Sequence, residues 1–133
     1  MFRYIPVIAF FGFICWIIVS ADSGQQIIFM KMMAGVPYGD KLGHVFLYGV
    51  LTWLLNSALN YKVIKLREKS ILLGAVIVFS FAVLEEITQL YFPQRTFDLI
   101  DLTADIIGIT LFSWVPYIFY RRKQLQTESV YLP

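Results

Sequence analysis

The chain has 133 residues, a net charge of +2, 59% hydrophobic and 15% charged residues, and a mean hydropathy of +0.70. This composition calls for an apolar solvent and excludes an ordinary soluble domain. The charge is too small to argue for a nucleic-acid partner, and a single cysteine, Cys15 within an apolar run, excludes an internal disulfide.

Four apolar stretches follow one another: Tyr4 to Ala21, His44 to Tyr61, Ile71 to Phe92, and Leu99 to Tyr120. Each is about long enough to cross a hydrocarbon layer of ~30 Å as a helix rising ~1.5 Å per residue. None alternates in the way barrel strands do, and an open strand would leave backbone groups unpaired in lipid. The fold class expected is therefore all-α, a polytopic bundle of four transmembrane helices forming one domain over residues 1–133.

Before the second stretch, Val19-Ser20-Ala21 ahead of Asp22 has the small-residue pattern of a signal-peptidase site. A single Arg3 and a long, bulky apolar run favour an uncleaved anchor instead. The connection from Asp22 to Gly39 includes Phe29, Met30, Met32 and Met33, too apolar for a freely solvated loop. It is expected to lie along the interface, packed on the bundle or serving as a lid. The residues after Lys123 read as an ordinary polar terminus.

Lysine and arginine set the expected orientation. Arg3, the set Lys62, Lys65, Arg67 and Lys69, and the trio Arg121, Arg122 and Lys123 flank the same side if all four stretches cross. Only Lys31, Lys41 and Arg95 remain for the other side, so the positive-inside rule places both termini in the cytoplasm. The lipid bilayer is the first partner expected; the oligomeric state is left open.

The polar motifs then gather at the non-cytoplasmic end. Lys41, His44 and Tyr48 are spaced by three and four residues, so a second-span helix presents an ammonium, an imidazole and a phenol in a column, with Asp40 at its mouth. In the third span Glu86 and Gln89 share a face, and Glu85 also reaches Gln89. Glu86 lies roughly 9 Å inside the outer end. An ionised carboxylate facing lipid there costs on the order of 1 to 3 kcal/mol, so Glu86 is expected to face the bundle interior, with Arg95 as one available ion-pair partner.

The fourth span opens with Asp98, Asp101 and Asp105, then Gly108, along one helical stripe. Helix-dipole stabilisation accounts for Asp98 or Asp101 but weakens two turns in, where Asp105 sits. Gly108 permits close approach of another helix. Asp40, Glu85, Glu86, Asp98, Asp101 and Asp105 face Lys41 and Arg95, a net charge of minus four with His44 neutral. Such a site calls for protons on carboxylates, a divalent metal with oxygen ligands, or a cationic group. H-E-x-x-H, serine-nucleophile and phosphate-loop motifs are all missing from the sequence.

The ordered set Asp40-Lys41-x-x-His44, Glu86-x-x-Gln89, Arg95 and Asp101-x-x-x-Asp105-x-x-Gly108 resembles the VanZ family of small bacterial membrane proteins, from about Gly39 to Phe112. That family is named for a component associated with teicoplanin resistance. One departure is Asp105, where the family commonly carries Asn. The resemblance implies a multispan envelope protein, with a link to lipoglycopeptide response, and supplies no established reaction.

Three functions follow as expectations. In the leading one, the site binds or modifies a cell-wall or lipid-linked substrate. His44 and Glu86 serve as catalytic acid and base, Lys41 and Arg95 hold a phosphate or carboxylate, and Asp40, Tyr48, Gln89, Asp98, Asp101 and Asp105 complete the binding shell. The second is noncatalytic capture or shielding of an amine-bearing group. The third is an ion or proton pathway, weakened by the near absence of ionisable residues in the inner halves of the second to fourth spans.

Overall fold

The computed structural model describes residues 1–132. A 3-10 turn leads into helix α1 (Ile5–Asp22), followed by a short α2 (Ile28–Ala34) and α3 (Gly39–Ala58). Strands β1 (Val63–Leu66) and β2 (Lys69–Leu72) come next, then α4 (Leu73–Thr88) with a 3-10 extension through Tyr91, and finally α5 (Leu99–Val130).

Helices dominate, but the expected all-helical chain is corrected by the β1–β2 hairpin. Its register pairs Val63 with Leu72 and Leu66 with Lys69, leaving Arg67 and Glu68 as the turn. Arg67 takes a left-handed conformation, φ 57°, without the Asn-Gly or Asp-Gly signal that would announce such a turn. Lys65, Arg67 and Lys69 lie on this hairpin, and Lys62 immediately precedes it.

Three helical segments, Phe2–Asp22, Leu73–Tyr91 and Leu99–Val130, are long and apolar enough to cross a membrane. Helix α3 has 20 residues, about 30 Å of rise, but its polar opening from Gly39 to His44 lowers its hydropathy. Helix α5 continues to Val130, through most of the stretch after Lys123 expected to be an ordinary polar terminus. Its extension is rich in the good helix formers Gln, Leu and Glu, and Gln124 donates to the Tyr120 hydroxyl one turn back at 2.7 Å.

A small set of side chains forms the protein interior: Ile14, Tyr48, Leu51, Val78, Ala82 and Ile109. Large apolar groups such as Ile8, Trp16, Leu84 and Trp114 instead point outward, as expected of helices solvated by lipid. The most extensive packing joins α3 to α5. There a Cβ added to Gly108 would collide with the backbone carbonyl of Val45, so only glycine allows this approach. Further along, Thr52 and Asn56 are fully buried on α3; Thr52 Oγ donates to the Tyr48 carbonyl at 2.7 Å, and Asn56 meets Ser113 of α5 at 3.4 Å. The first bond lies within α3; the Asn56–Ser113 contact joins α3 to α5 in the bundle interior.

The two ends of the bundle differ. At the hairpin end Tyr61 stacks on Tyr120 with ring centroids 4.6 Å apart. At the other end, the close of α1, the opening of α3, the close of α4 and the opening of α5 are joined by charged side chains.

Replacing Gly108 with leucine forces α3 and α5 apart and is expected to cost about 1 to 3 kcal/mol. Thermal unfolding in detergent should show a clear fall in Tm, whereas Gly12→Ala, which meets no neighbour, should leave it unchanged or slightly raised.

Candidate functional site

Two rows of ionisable residues, one on α3 and one on α5, meet across the helix interface. Helix α3 begins after Tyr38, held in a left-handed conformation, and Gly39 packs where any Cβ would strike the Met33 backbone. This turn brings the first charged turn of α3 against α5. Lys41 Nζ lies 2.8 Å from Asp98 Oδ2 and 3.0 Å from Asp40, and also donates to Asp101 Oδ1. One ammonium therefore gathers three carboxylates.

A turn further in, His44 Nδ1 lies 2.7 Å from Oδ1 of Asp105, which is fully buried. The other ring nitrogen, Nε2, lies 3.7 Å from Asp101 Oδ2. An ionised Asp105 accepts a hydrogen bond from Nδ1–H; in that tautomer of the neutral imidazole, Nε2 carries the lone pair and faces Asp101. Tyr48 continues the column: its ring is nearly parallel to that of His44, 6.0 Å away, and its buried hydroxyl has no protein partner among the described residues.

Helix α4 supplies the third wall. Glu86 is fully buried; its Oε2 accepts the Asp98 backbone N–H at 3.4 Å, and its Oε1 lies 3.5 Å from Gln89 Nε2. Gln89 makes its shorter bond, 2.8 Å, to Glu85. Arg95 pairs with Glu85 at 3.2 Å and approaches Asp22 of α1 at 3.5 Å, rather than pairing with Glu86. Asp98 also caps α5, its Oδ1 accepting the Ile100 N–H at 2.8 Å.

All ten residues singled out from the sequence thus lie at one end of the bundle, with different standing. Asp40 is largely exposed and touches the cluster only through Lys41. Lys41 and Arg95, expected to receive an anion, are already engaged by carboxylates. Glu85 and Asp22 join the network without having been assigned a role. The signal for both is Arg95, a cation beside apolar segments that needs counter-charge.

A cavity of about 520 Å³ adjoins the cluster, bounded by α1, α2, the opening of α3 and the loop at Gln94 and Arg95. His44 and Asp101 reach its wall, while Phe29, Met30 and Met33 of α2 form the facing side. The apolar connection before α3 is therefore a short helix that walls the cavity. A larger groove of about 910 Å³ between the hairpin, α4 and α5 has no charged lining residue and lies away from the cluster. Of the two spaces, the smaller is the one bordered by ionisable groups.

Helices of membrane-crossing length and apolarity around a buried ionisable cluster define a helical membrane protein with an internal polar site. The chain belongs to the VanZ/LLP1 family, which it matches over residues 3–120. It is 33% identical over 101 residues to the uncharacterized membrane protein YwnJ of Bacillus subtilis (strain 168), an alignment covering 76% of this chain and 65% of that protein. No solved structure matches.

The Lys41 hydrogen bond holds Asp98 below its ordinary value of 3.8, aided by the Ile100 N–H. A depressed carboxylate stabilises the fold above its unfolded pKa, and the contribution is lost as pH falls through the folded value. The Tm difference between wild type and Asp98→Asn should therefore stay constant from about pH 8 to 5 and shrink towards zero below 3.8. Scanning calorimetry across that range checks the sign.

Proposed function

We propose that the protein is a multi-pass component of the bacterial cytoplasmic membrane whose buried site engages a cell-wall or lipid-linked substrate from the non-cytoplasmic side. In this reading α3 crosses alongside α1, α4 and α5, and both termini lie in the cytoplasm. The distribution of charge supports it: Arg3, the hairpin lysines and arginine, and Arg121 to Lys123 belong to the end opposite the cluster.

The observation that carries the proposal is the His44–Asp105 pair held beside buried Glu86 at the edge of a cavity. An imidazole with one nitrogen fixed by a carboxylate presents the other for proton transfer or ligation. Glu86, within the same cluster, is the second group suited to acid–base work. Lys41 and Arg95 act chiefly as internal counter-ions in this reading, and Tyr48, Gln89 and Asp101 shape the inner wall. Asp40 and Asp98 hold the entrance.

The family association directs the test to glycopeptide response. In a strain whose teicoplanin tolerance depends on this protein, the His44→Ala, Glu86→Ala double variant should lose that tolerance while present in the membrane at normal levels. Full tolerance in that variant would reject the proposal.

A second reading, noncatalytic capture of an amine-bearing group, is favoured by the excess of carboxylates over the two paired cations. It predicts that a bound ligand is recovered with unchanged mass. Formation of a product that disappears in His44→Ala would decide for catalysis.

A further inference from the structure

We infer that His44, Glu86 and Asp101 bind a single divalent transition-metal cation, with Asp105 and Lys41 as the residues that orient its ligands. The inference rests on the reading of this cluster as the functional site and deepens it by naming what joins the buried cluster to its substrate.

Geometry is the first argument. One ligand atom from each of His44, Glu86 and Asp101 lies within 4.8 Å of the other two. His44 Nε2 and Asp101 Oδ2 are 3.7 Å apart, close to the roughly 3.4 Å that tetrahedral ligands about 2.1 Å from zinc require. The Glu86 ligand atom is within 4.8 Å of both, the third member of the same group.

The second argument concerns orientation. Metal-bound histidines commonly give their other ring N–H to a carboxylate, which fixes the tautomer and raises ligand basicity. Asp105 does this from a fully buried position at 2.7 Å. Lys41 donates to Asp101 Oδ1, leaving Oδ2 turned towards the imidazole. Each of these two ligands is held through its remote atom, while the near atom stays available.

Charge and unmet bonding supply an independent argument. Among the described residues, Asp22, Asp40, Glu85, Glu86, Asp98, Asp101 and Asp105 surround only two cations, Lys41 and Arg95. Asp105 is completely buried, yet among the described residues its Oδ2, on the carboxylate abutting His44, has no partner; the buried hydroxyl of Tyr48 beside the same ring has none either. A dication lowers the local negative charge as no internal residue does. One imidazole with two carboxylates suits zinc, manganese or iron(II) better than magnesium or calcium, which take oxygen ligands.

The location gives the metal a use. His44 and Asp101 line the cavity whereas Glu86 lies behind them. Three protein ligands leave a coordination position for a phosphate or carboxylate oxygen of the substrate. The metal thus supplies the anion-binding charge that the paired Lys41 and Arg95 do not.

His44 is the only histidine in the chain, which makes the test direct. Full-length protein purified in detergent without a histidine tag is titrated with Zn2+ while carbethoxylation of the imidazole by diethyl pyrocarbonate is followed. One equivalent should bind and protect His44. In variants that elute as folded protein, Glu86→Gln and Asp101→Asn should weaken binding at least tenfold, Asp105→Asn by roughly 10- to 100-fold, and Glu68→Gln on the hairpin not at all. Wild-type protein whose His44 stays equally reactive with and without Zn2+ overturns the site, even if every variant misfolds. Antibiotic tolerance is scored separately: tolerance lost in His44→Ala despite no Zn2+ binding by wild type rejects the metal alone. Zn2+ binding with unchanged tolerance in the His44→Ala, Glu86→Ala variant rejects the substrate reading alone.

Discussion

The polar end of the bundle depends on neutralising three carboxylates on one face of α5. Asp98, Asp101 and Asp105 repel one another unless a neighbour supplies positive charge or protons. Helix α3 answers with Lys41 at the level of Asp98 and Asp101, and with His44 at the level of Asp105. Gly108, one turn below, lets the two helices approach closely enough for these bonds to form. Charge pairing and close packing therefore fix the same helix pair, and α1 and α4 attach to it through Arg95 and the buried carboxylates of α4.

This arrangement separates holding from acting. Lys41, Arg95 and the capping oxygen of Asp98 are consumed in fastening helix ends together. His44 is oriented by Asp105, Asp101 by Lys41 and Glu86 by the Asp98 backbone N–H, while His44 Nε2, Asp101 Oδ2 and the Glu86 carboxylate keep capacity to interact. Small residues and neutral polar groups secure the rest of the α3–α5 interface, so the charged cluster is confined to one end.

Much of this was legible in the sequence because helical spacing is strict. The intervals 41–44–48 and 98–101–105 place their side chains in columns, and Gly108 forecasts the close approach that the structure contains. The partners across the interface were not legible, since spacing within a helix says nothing of its neighbour's rotation. Thus Glu85 rather than Glu86 takes Arg95, and Asp40 turns to Lys41 and solvent instead of completing the inner site. The hairpin escaped notice because Arg67 adopts a left-handed turn conformation that its side chain does not favour. Helix α2 lacked a capping signal, and its seven residues are too few for periodicity to declare it.

A double-mutant cycle between Lys41 and Asp101 tests the central electrostatic claim most directly. Thermal stability in detergent is measured for wild type, Lys41→Met, Asp101→Asn and the combination. If these groups neutralise one another across the α3–α5 interface, the double variant is less damaged than the two single effects added together, with a coupling of more than about 1 kcal/mol. Strict additivity of the two substitutions would contradict it.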